Sequence, residues 1–295
     1  MLIIDSHSHL WLRQDTVVEG QHICTMSGNG SRSMFFGEER QMLPPFMIDG
    51  RNTAEVFLSN MDYAQVAAAV VVQELIDGNQ NDYLAEVVSR HADRFFCMGM
   101  AATAGEARDL HRKGFGGIAI AGHRIHTPLT DMMPMFCEMQ QRGMVLSLCL
   151  HEDNHQLCEV EDIVRQCPEL KIAIGHFGMV TASGWLDQIR LARHPNVMIE
   201  SGGITWLFNS EFYPFPSAIR AIRRAADEVG MDKLMWGSDY PRTITAITYR
   251  MSYDFIMKSD ELSETEKQMF LGENARRFYG LGELPVLPYV KNMSE

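Results

Sequence analysis

Short apolar stretches alternate with longer amphipathic stretches along most of the chain. Eight of the apolar stretches have the length and the content of branched residues that are typical of buried parallel strands. These stretches lie at residues 2–7, 66–72, 95–100, 117–120, 144–150, 171–176, 196–201 and 233–238. Helical patterns lie between and after them, at residues 53–63, 81–91, 104–113, 131–142, 154–167, 183–193, 215–229, 245–257 and 263–279. Successive strand–helix units predict an α/β protein with a closed (β/α)₈ barrel, the TIM barrel.

A doubly wound open sheet would produce the same alternation of strands and helices. In that fold, a G-x-G-x-x-G segment often follows the first strand and opens its helix. Here the first predicted strand is followed by the segment SHLW, without such a glycine pattern. The closed barrel is therefore the preferred prediction, in a single domain that spans residues 1–295.

The connection after the first predicted strand is unusually long. Residues 11–52 separate that strand from its helix and are rich in glycine and proline. A connection of this length in a compact domain is usually functional, so we predict a lid or insertion loop. At the other end, residues 263–295 are predicted to form C-terminal helices and a tail. Ser263 and Glu266 have the spacing of a helix capping box.

Composition and charge restrict the partners. The chain is 46% hydrophobic and 22% charged, and its net charge of −12 disfavours nucleic acid. We expect no membrane span, because uninterrupted apolar runs of about 18 residues are absent. The N-terminus lacks a basic region and the six cysteines form no C-x-x-C pair, so we expect a cytoplasmic protein with free thiols. A small molecule is the expected partner, and a homo-oligomer is left open.

Two histidines end the first predicted strand. His7 and His9 are two residues apart, and side chains at this spacing point to the same face of a strand. Two neutral imidazoles that converge on one point suit zinc or a similar divalent ion. An H-x-H pair is a weak motif alone, since two solvated histidines at a polar strand end would look the same.

Further polar residues lie at the ends of other predicted strands. His151 follows the fifth strand, His176 ends the sixth, and Asp239 ends the eighth. The carboxyl ends of all the strands of a barrel meet at one rim, where barrel active sites lie. We therefore expect these residues to gather with His7 and His9 in an active site, rather than to serve as unrelated polar caps on buried strands.

These segments make the chain resemble a known family. The stretches IDSHSHLW, NDYLAEVVSRHADRFF, GIAI, GHFG, WGSDYPRT and ENARRFYGL, between residues 4 and 281, are similar to those of the amidohydrolase-2 family. This family includes decarboxylases of the aminocarboxymuconate-semialdehyde type, aromatic-acid decarboxylases and several lactonases. The H-x-H strand and GSDYP are the most diagnostic segments.

The resemblance implies a distorted barrel and one divalent metal ion. It implies His7, His9, His151 and Asp239 as the ligands, and His176 as a catalytic residue beside the metal. Asp239 is also a candidate to accept the proton of a water. Zinc is the preferred ion, with manganese and iron as alternatives. A lysine that could bridge a second metal is missing after the fourth and fifth strands.

Basic and aromatic residues near the strand ends are candidates for substrate binding. The guanidinium fork of arginine matches a carboxylate, so Arg13, Arg124 and Arg242 are predicted to meet a carboxylate-bearing substrate. Trp11 is predicted to form part of an apolar wall. Each of these side chains has an alternative interpretation as a surface ion pair or as ordinary packing.

Three functions are compatible with this set of residues. The leading hypothesis is a metal-dependent hydrolase that acts on a small lactone, ester or amide through an activated water. The second is a non-oxidative decarboxylase of an aromatic or unsaturated carboxylic acid. The third is a barrel that binds a ligand without catalysis, which the complete polar set disfavours.

Overall fold

The computed structural model describes residues 1–293 and contains two β-sheets. The strands in chain order are β1 Ile4–Ser8, β2 Asp15–Val18, β3 Gln21–Thr25, β4 Arg32–Phe35, β5 Glu38–Gln41, β6 Ala68–Val71, β7 Phe95–Gly99, β8 Gly117–Ala121, β9 Val145–Cys149, β10 Lys171–Ile174, β11 Val197–Glu200 and β12 Leu234–Met235. Strands β1 and β6 to β12 form one parallel sheet in this order, and β2 to β5 form a separate antiparallel sheet.

The parallel sheet closes into a barrel at the chain segment that follows β12. The backbone N–H of Ser6 donates to the carbonyl of Trp236 at 2.9 Å, and that of His9 donates to the carbonyl of Tyr240 at 2.7 Å. In return, the N–H of Asp239 donates to the carbonyl of His7 at 2.8 Å. The predicted (β/α)₈ barrel is therefore confirmed, and the open-sheet alternative is wrong. Closure also brings His7 of β1, and His9 directly after it, beside Asp239.

Helices cover the outside of the barrel. They are α1 Ala54–Ala64, α2 Asn81–His91, α3 Ala104–Arg112, α4 Met133–Gln141, α5 Leu157–Gln166, α6 Trp185–Arg190, α7 Ile204–Leu207, α8 Pro216–Val229, α9 Met251–Met257, α10 Glu264–Gln268 and α11 Asn274–Tyr279. A π-helical turn, Met269–Glu273, joins α10 to α11, and the predicted capping box of Ser263 and Glu266 is present at α10. Within residues 1–293, every helix is too short or too polar to cross a membrane.

The interior of the barrel is apolar at one end and polar at the other. Side chains such as Ile4, Val70, Met98 and Met235 fill the end at which the strands begin, and α11 closes it with Phe278 and other residues. The pairing register between β1 and β6 shifts between Asp5 and Ser8. This shift lets His7 face the same interior as Ile4, although the two residues are three positions apart and would lie on opposite faces of a regular strand.

The segment 11–52, predicted as a loop, contains the four-stranded antiparallel sheet. Two-residue turns join β2 to β3 and β4 to β5, and their central residues, Glu19-Gly20 and Phe36-Gly37, all have positive φ. Positive φ at both central residues is typical of hairpin turns whose twist matches that of the strands. The X-Gly pairs of these two turns were the signal that the prediction of a loop overlooked.

Candidate metal centre and substrate pocket

Three buried side chains converge at the carboxyl end of the barrel. The Nε2 atoms of His7 and His9 are 3.1 Å apart, and Oδ1 of Asp239 lies 2.9 Å from Nε2 of His9 and 3.7 Å from Nε2 of His7. Each residue is at most 2% exposed. Two imidazole nitrogens and a carboxylate oxygen are donors that zinc and related divalent ions take, and their closeness fits one shared ion.

A buried carboxylate orients His7. The Nδ1 atom of His7 lies 2.8 Å from Oε1 of Glu200, at the end of β11. Because a carboxylate only accepts hydrogen bonds, Nδ1 carries the proton. The lone pair of Nε2 then points toward the other two candidate metal-ligand atoms. Burial lowers the pKa of His7, but the negative charges of Glu200 and Asp239 outweigh it and raise that pKa above the ordinary value.

Glycine at position 237 makes this contact possible. A Cβ atom there would lie 2.7 Å from Cβ of His7 and 2.9 Å from Oε2 of Glu200. Both distances are too short for a side chain, so the W-G-S-D segment must pass the histidine as bare backbone. Packing against His7 and Glu200 therefore accounts for the glycine.

Asp239 is held in its ionised form from several sides. Burial raises its pKa, but the hydrogen bond with His9 and the positive charge of Arg242 hold that pKa well below the usual range. The indole Nε1 of Trp206 donates to Oδ2 of Asp239 at 2.7 Å. Oδ1 of Asp239 is thus one of the three candidate metal-ligand atoms, whereas Oδ2 is fixed by the hydrogen bond from Trp206.

His176 lies beside this group with its own fixed orientation. Its Nδ1 lies 2.8 Å from the carbonyl oxygen of Gly202, so Nδ1 donates and Nε2 keeps a lone pair. Its ring centre is 4.8 Å from that of His7. Burial and the proximity of His7 lower the pKa of His176, which favours the neutral imidazole. Such a group can exchange a proton with a substrate near neutral pH.

The centre opens into a cavity of about 840 Å³. Its walls come from the barrel and from the antiparallel sheet, and they include His9, His176, Asp239, Trp206, His123, Arg124, Arg242, Phe35, Arg40 and Met42. A volume of this order suits a small organic molecule. The three arginines place positive charge around a site whose centre carries a carboxylate.

The two partly buried arginines of the pocket are already engaged with acids. Nε of Arg124 donates to Glu74 at 2.9 Å, which holds the guanidinium against the pocket wall. Arg242 donates to Asp77 at 2.8 Å and lies 3.5 Å from Asp239. Arg242 therefore supports the centre, whereas Arg124 remains a candidate for substrate.

Three residues lie elsewhere than the sequence led us to expect. His151 lines the pocket, but its side chain is 45% exposed and pairs with Asp153, apart from the group of His7, His9 and Asp239. Arg13 is exposed and is not part of the pocket wall. Trp11 is buried, donates its indole N–H to the carbonyl of Gly50, and packs on Leu43 and Met47 instead of facing the pocket.

Three residues at or behind the pocket were not anticipated. Glu74 lines the pocket and Asp77 lies behind His9, and both follow β6, the second strand of the barrel. Arg40 comes from β5 of the antiparallel sheet and lines the pocket. Inspection of all polar residues in the loop after each predicted strand, without selection for histidine, would have revealed Glu74 and Asp77.

A parallel barrel with an H-x-H strand, a buried aspartate and a pocket at the carboxyl ends of its strands defines the class of metal-dependent barrel hydrolases and their relatives. The chain belongs to the amidohydrolase family, whose model (Amidohydro_2) matches residues 4–281.

The chain is also similar to characterised and solved proteins. A 4-sulfomuconolactone hydrolase of Hydrogenophaga intermedia is 23% identical over 266 residues, which cover 83% of each chain. A structure from Acinetobacter baumannii, assigned as a 2-pyrone-4,6-dicarboxylic acid hydrolase with citric acid bound, has a TM-score of 0.70 at 18% identity and covers 95% of this chain and 100% of that one. A zinc-bound amidohydrolase of Burkholderia multivorans has a TM-score of 0.69 at 17% identity, with coverage of 96% and 100%.

Proposed function

We propose that the protein hydrolyses a small lactone that carries a carboxylate or another anionic group, with one divalent metal ion held by His7, His9 and Asp239. The proposal depends on one observation. The three buried residues that could bind a metal ion lie at the end of a cavity whose wall contains arginine. The names of the relatives, a muconolactone hydrolase and a pyrone-dicarboxylic acid hydrolase, agree with this substrate class.

Zinc is the preferred ion, because two imidazoles and a carboxylate with further positions open are typical of catalytic zinc. A bound divalent ion supplies a Lewis acid that polarises a carbonyl and activates a water. Manganese and iron accept the same donors, so the choice of zinc is open to direct measurement.

The residues of the chain supply proton transfer and orientation. Hydrolysis adds a water to the lactone carbonyl and breaks the ring C–O bond, so one proton must leave the water and one must reach the ring oxygen. We assign the acceptance of the first proton to Asp239, because its carboxylate is ionised. We assign the relay of a proton to the leaving oxygen to His176, because its Nε2 keeps a lone pair. We assign the binding of the anionic group of the substrate to Arg124, because it lines the cavity.

A substrate screen with measured metal content tests the proposal. The purified protein is expected to contain about one equivalent of zinc or a related ion. It is expected to open lactones that carry a carboxylate or sulfonate faster than neutral lactones of the same ring size. His176→Asn is expected to lower kcat strongly while metal content is kept.

Two other results would replace the proposal. Release of CO₂ from hydroxybenzoates or muconate-like acids, without lactone opening, would assign a decarboxylase. Tight ligand binding with neither reaction, in a protein that is fully loaded with metal, would assign a binding barrel. A His176→Asn variant with unchanged activity would remove this residue from the catalytic set.

A further inference from the structure

His9 faces the buried carboxylate of Asp77 on the side of its ring that points away from His7 and Asp239. Its Nδ1 atom lies 3.3 Å from Oδ2 of Asp77, and both residues are at most 2% exposed. Among the described residues, neither of these two atoms has a hydrogen-bond partner of good geometry. Two buried polar atoms that face each other at this distance are complementary only when Nδ1 carries the proton.

Asp77 is held in place by two donors on its other oxygen. Oδ1 of Asp77 accepts from Nε2 of Gln14 and from Nη2 of Arg242, each at 2.8 Å. Arg242 also lies 3.5 Å from Asp239. The carboxylate of Asp77 is thus fixed with Oδ2 facing His9. Arg242 also connects Asp77 to Asp239, another proposed metal ligand.

Gln14 connects this arrangement to the antiparallel sheet. A carboxylate only accepts, so Gln14 must present its NH₂ group to Asp77 and its carbonyl oxygen to the opposite side. There, Oγ of Ser33 on β4 donates to Oε1 of Gln14 at 2.7 Å. Thr25 on β3 pairs with Gln14 through a backbone and a side-chain hydrogen bond. Gln14 and Ser33 are 1% exposed, so the chain of hydrogen bonds is shielded from water.

We propose that Asp77 and Gln14 are positioning residues for the metal ligand His9, and that the antiparallel sheet of residues 15–41 holds them in place. Asp77 keeps the proton of His9 on Nδ1, which leaves Nε2 as the ligand atom, as Glu200 does for His7. The inference rests on the metal site of the proposed function. It gives the sheet a second task beyond the pocket wall that Phe35, Arg40 and Met42 provide.

The variant Asp77→Asn separates this role from simple packing, because it keeps the shape of the side chain. In one orientation the amide NH₂ faces Nδ1–H of His9; in the other it faces the donors Gln14 and Arg242. Either orientation sets donor against donor when His9 binds through Nε2. We expect zinc affinity, measured by competition with a chromophoric chelator, to fall about 10- to 100-fold.

A matched pair tests Gln14. Gln14→Met removes the donor to Asp77, and we expect a smaller loss of zinc affinity than in Asp77→Asn. Gln188→Met is the control, because Gln188 is equally buried but donates to the carbonyl of His151 and to Asn154, away from His9. We expect its zinc affinity to stay within about twofold of the original protein.

Histidine NMR gives a readout that depends on neither activity nor the folding of a variant. With ¹⁵N-labelled histidine, His9 of the zinc-loaded original protein is expected to carry its proton on Nδ1. A His9 that is protonated only on Nε2 would overturn the inference. So would Asp77→Asn and Gln14→Met variants that bind zinc as tightly as the original protein. If the original protein binds zinc and shows these effects but opens no lactone, the proposed function fails and the inference stands; a protein that binds no zinc would overturn both.

Discussion

The protein has two groups of histidine and aspartate with nearly the same chemistry and opposite surroundings. His7, His9 and Asp239 are buried at the centre of the barrel. His151, Asp153 and His155 lie on the loop between β9 and α5, and their side chains are 45–59% exposed. In both groups, the candidate donor atoms lie within 4.8 Å of one another. Distance alone therefore does not separate a metal centre from a cluster of solvated side chains.

The surroundings of each histidine make the difference. In the buried group, Nδ1 of His7 and Nδ1 of His9 each face a carboxylate, which leaves the Nε2 atoms for a metal. In the exposed group, the imidazoles use their Nδ1 atoms on Asp153 itself. Water also hydrates these exposed side chains and weakens their electrostatic attraction for a metal ion. We therefore expect a preorganised site in the first group and none of comparable affinity in the second.

The largest expected difference between the two groups appears when one histidine of each group is replaced by alanine. His9→Ala removes one of three ligands, and we expect its zinc content to fall from about one equivalent to background, with loss of lactone hydrolysis. His155→Ala removes the corresponding donor of the exposed group and should leave both quantities unchanged. Metal analysis by mass spectrometry after dialysis measures the difference. Equal zinc contents in the two variants would refute the distinction between the groups.

The second effect concerns the carboxylate behind His7. Glu200→Gln replaces an acceptor for Nδ1 and for the backbone N–H groups of His176 and Gly202. We expect zinc affinity to fall about 10- to 100-fold, because outer carboxylates of metal-binding histidines have effects of this size. Glu161→Gln is the control: Glu161 pairs with His194 at 2.9 Å, but both side chains are substantially exposed. A change in the control as large as in Glu200→Gln would point to a general charge effect.

A smaller effect is expected from the hydrogen bond that fixes the free oxygen of Asp239. Trp206→Phe keeps an aromatic ring but removes the Nε1 donor at 2.7 Å. Hydrogen bonds to charged groups contribute about 1.5–3 kcal/mol. Because Trp206 is only partly buried, we expect the lower figure, which is a fall of about tenfold in zinc affinity or kcat/KM. Trp185→Phe, a change in a tryptophan that stacks on Phe177 outside the pocket, should have little effect. If both variants behave alike, the indole donor has no special role.

The sequence was informative where one local pattern decides the outcome. Strand and helix alternation predicted the barrel, and polar residues after apolar stretches predicted His7, His9 and Asp239 at one rim. These inferences need only the period of the pattern and the direction of parallel strands. The antiparallel sheet was missed because its strands are only four or five residues long, and β5 is exposed at every position. Without an apolar alternation, only the turn residues signal such strands.

The hydrogen-bond partners of the proposed ligands were harder to predict than the proposed ligands themselves. Asp77 lies 68 residues after His9, and Gln14 lies on a different part of the chain from both Asp77 and Arg242. Hydrogen bonds between residues so distant in sequence depend on how the strands close and on where the insertion packs. Trp11 illustrates the same point, because its position near a strand end predicted the pocket, whereas Leu43 and Met47 of the insertion enclose it.

The smallest expected effect decides the role of His151, which the sequence assigned as the ligand from the fifth barrel strand. The imidazole lies on Asp153, outside the buried group, so His151→Ala should leave zinc affinity within about twofold of the original protein. Because His151 lines the pocket, a modest rise in KM with unchanged metal content is the expected outcome. His155→Ala is the control, because it removes the other histidine of the same exposed group. A loss of zinc like that of His9→Ala would instead show that His151 turns inward when metal binds, and that burial in the metal-free protein is not sufficient to identify every ligand.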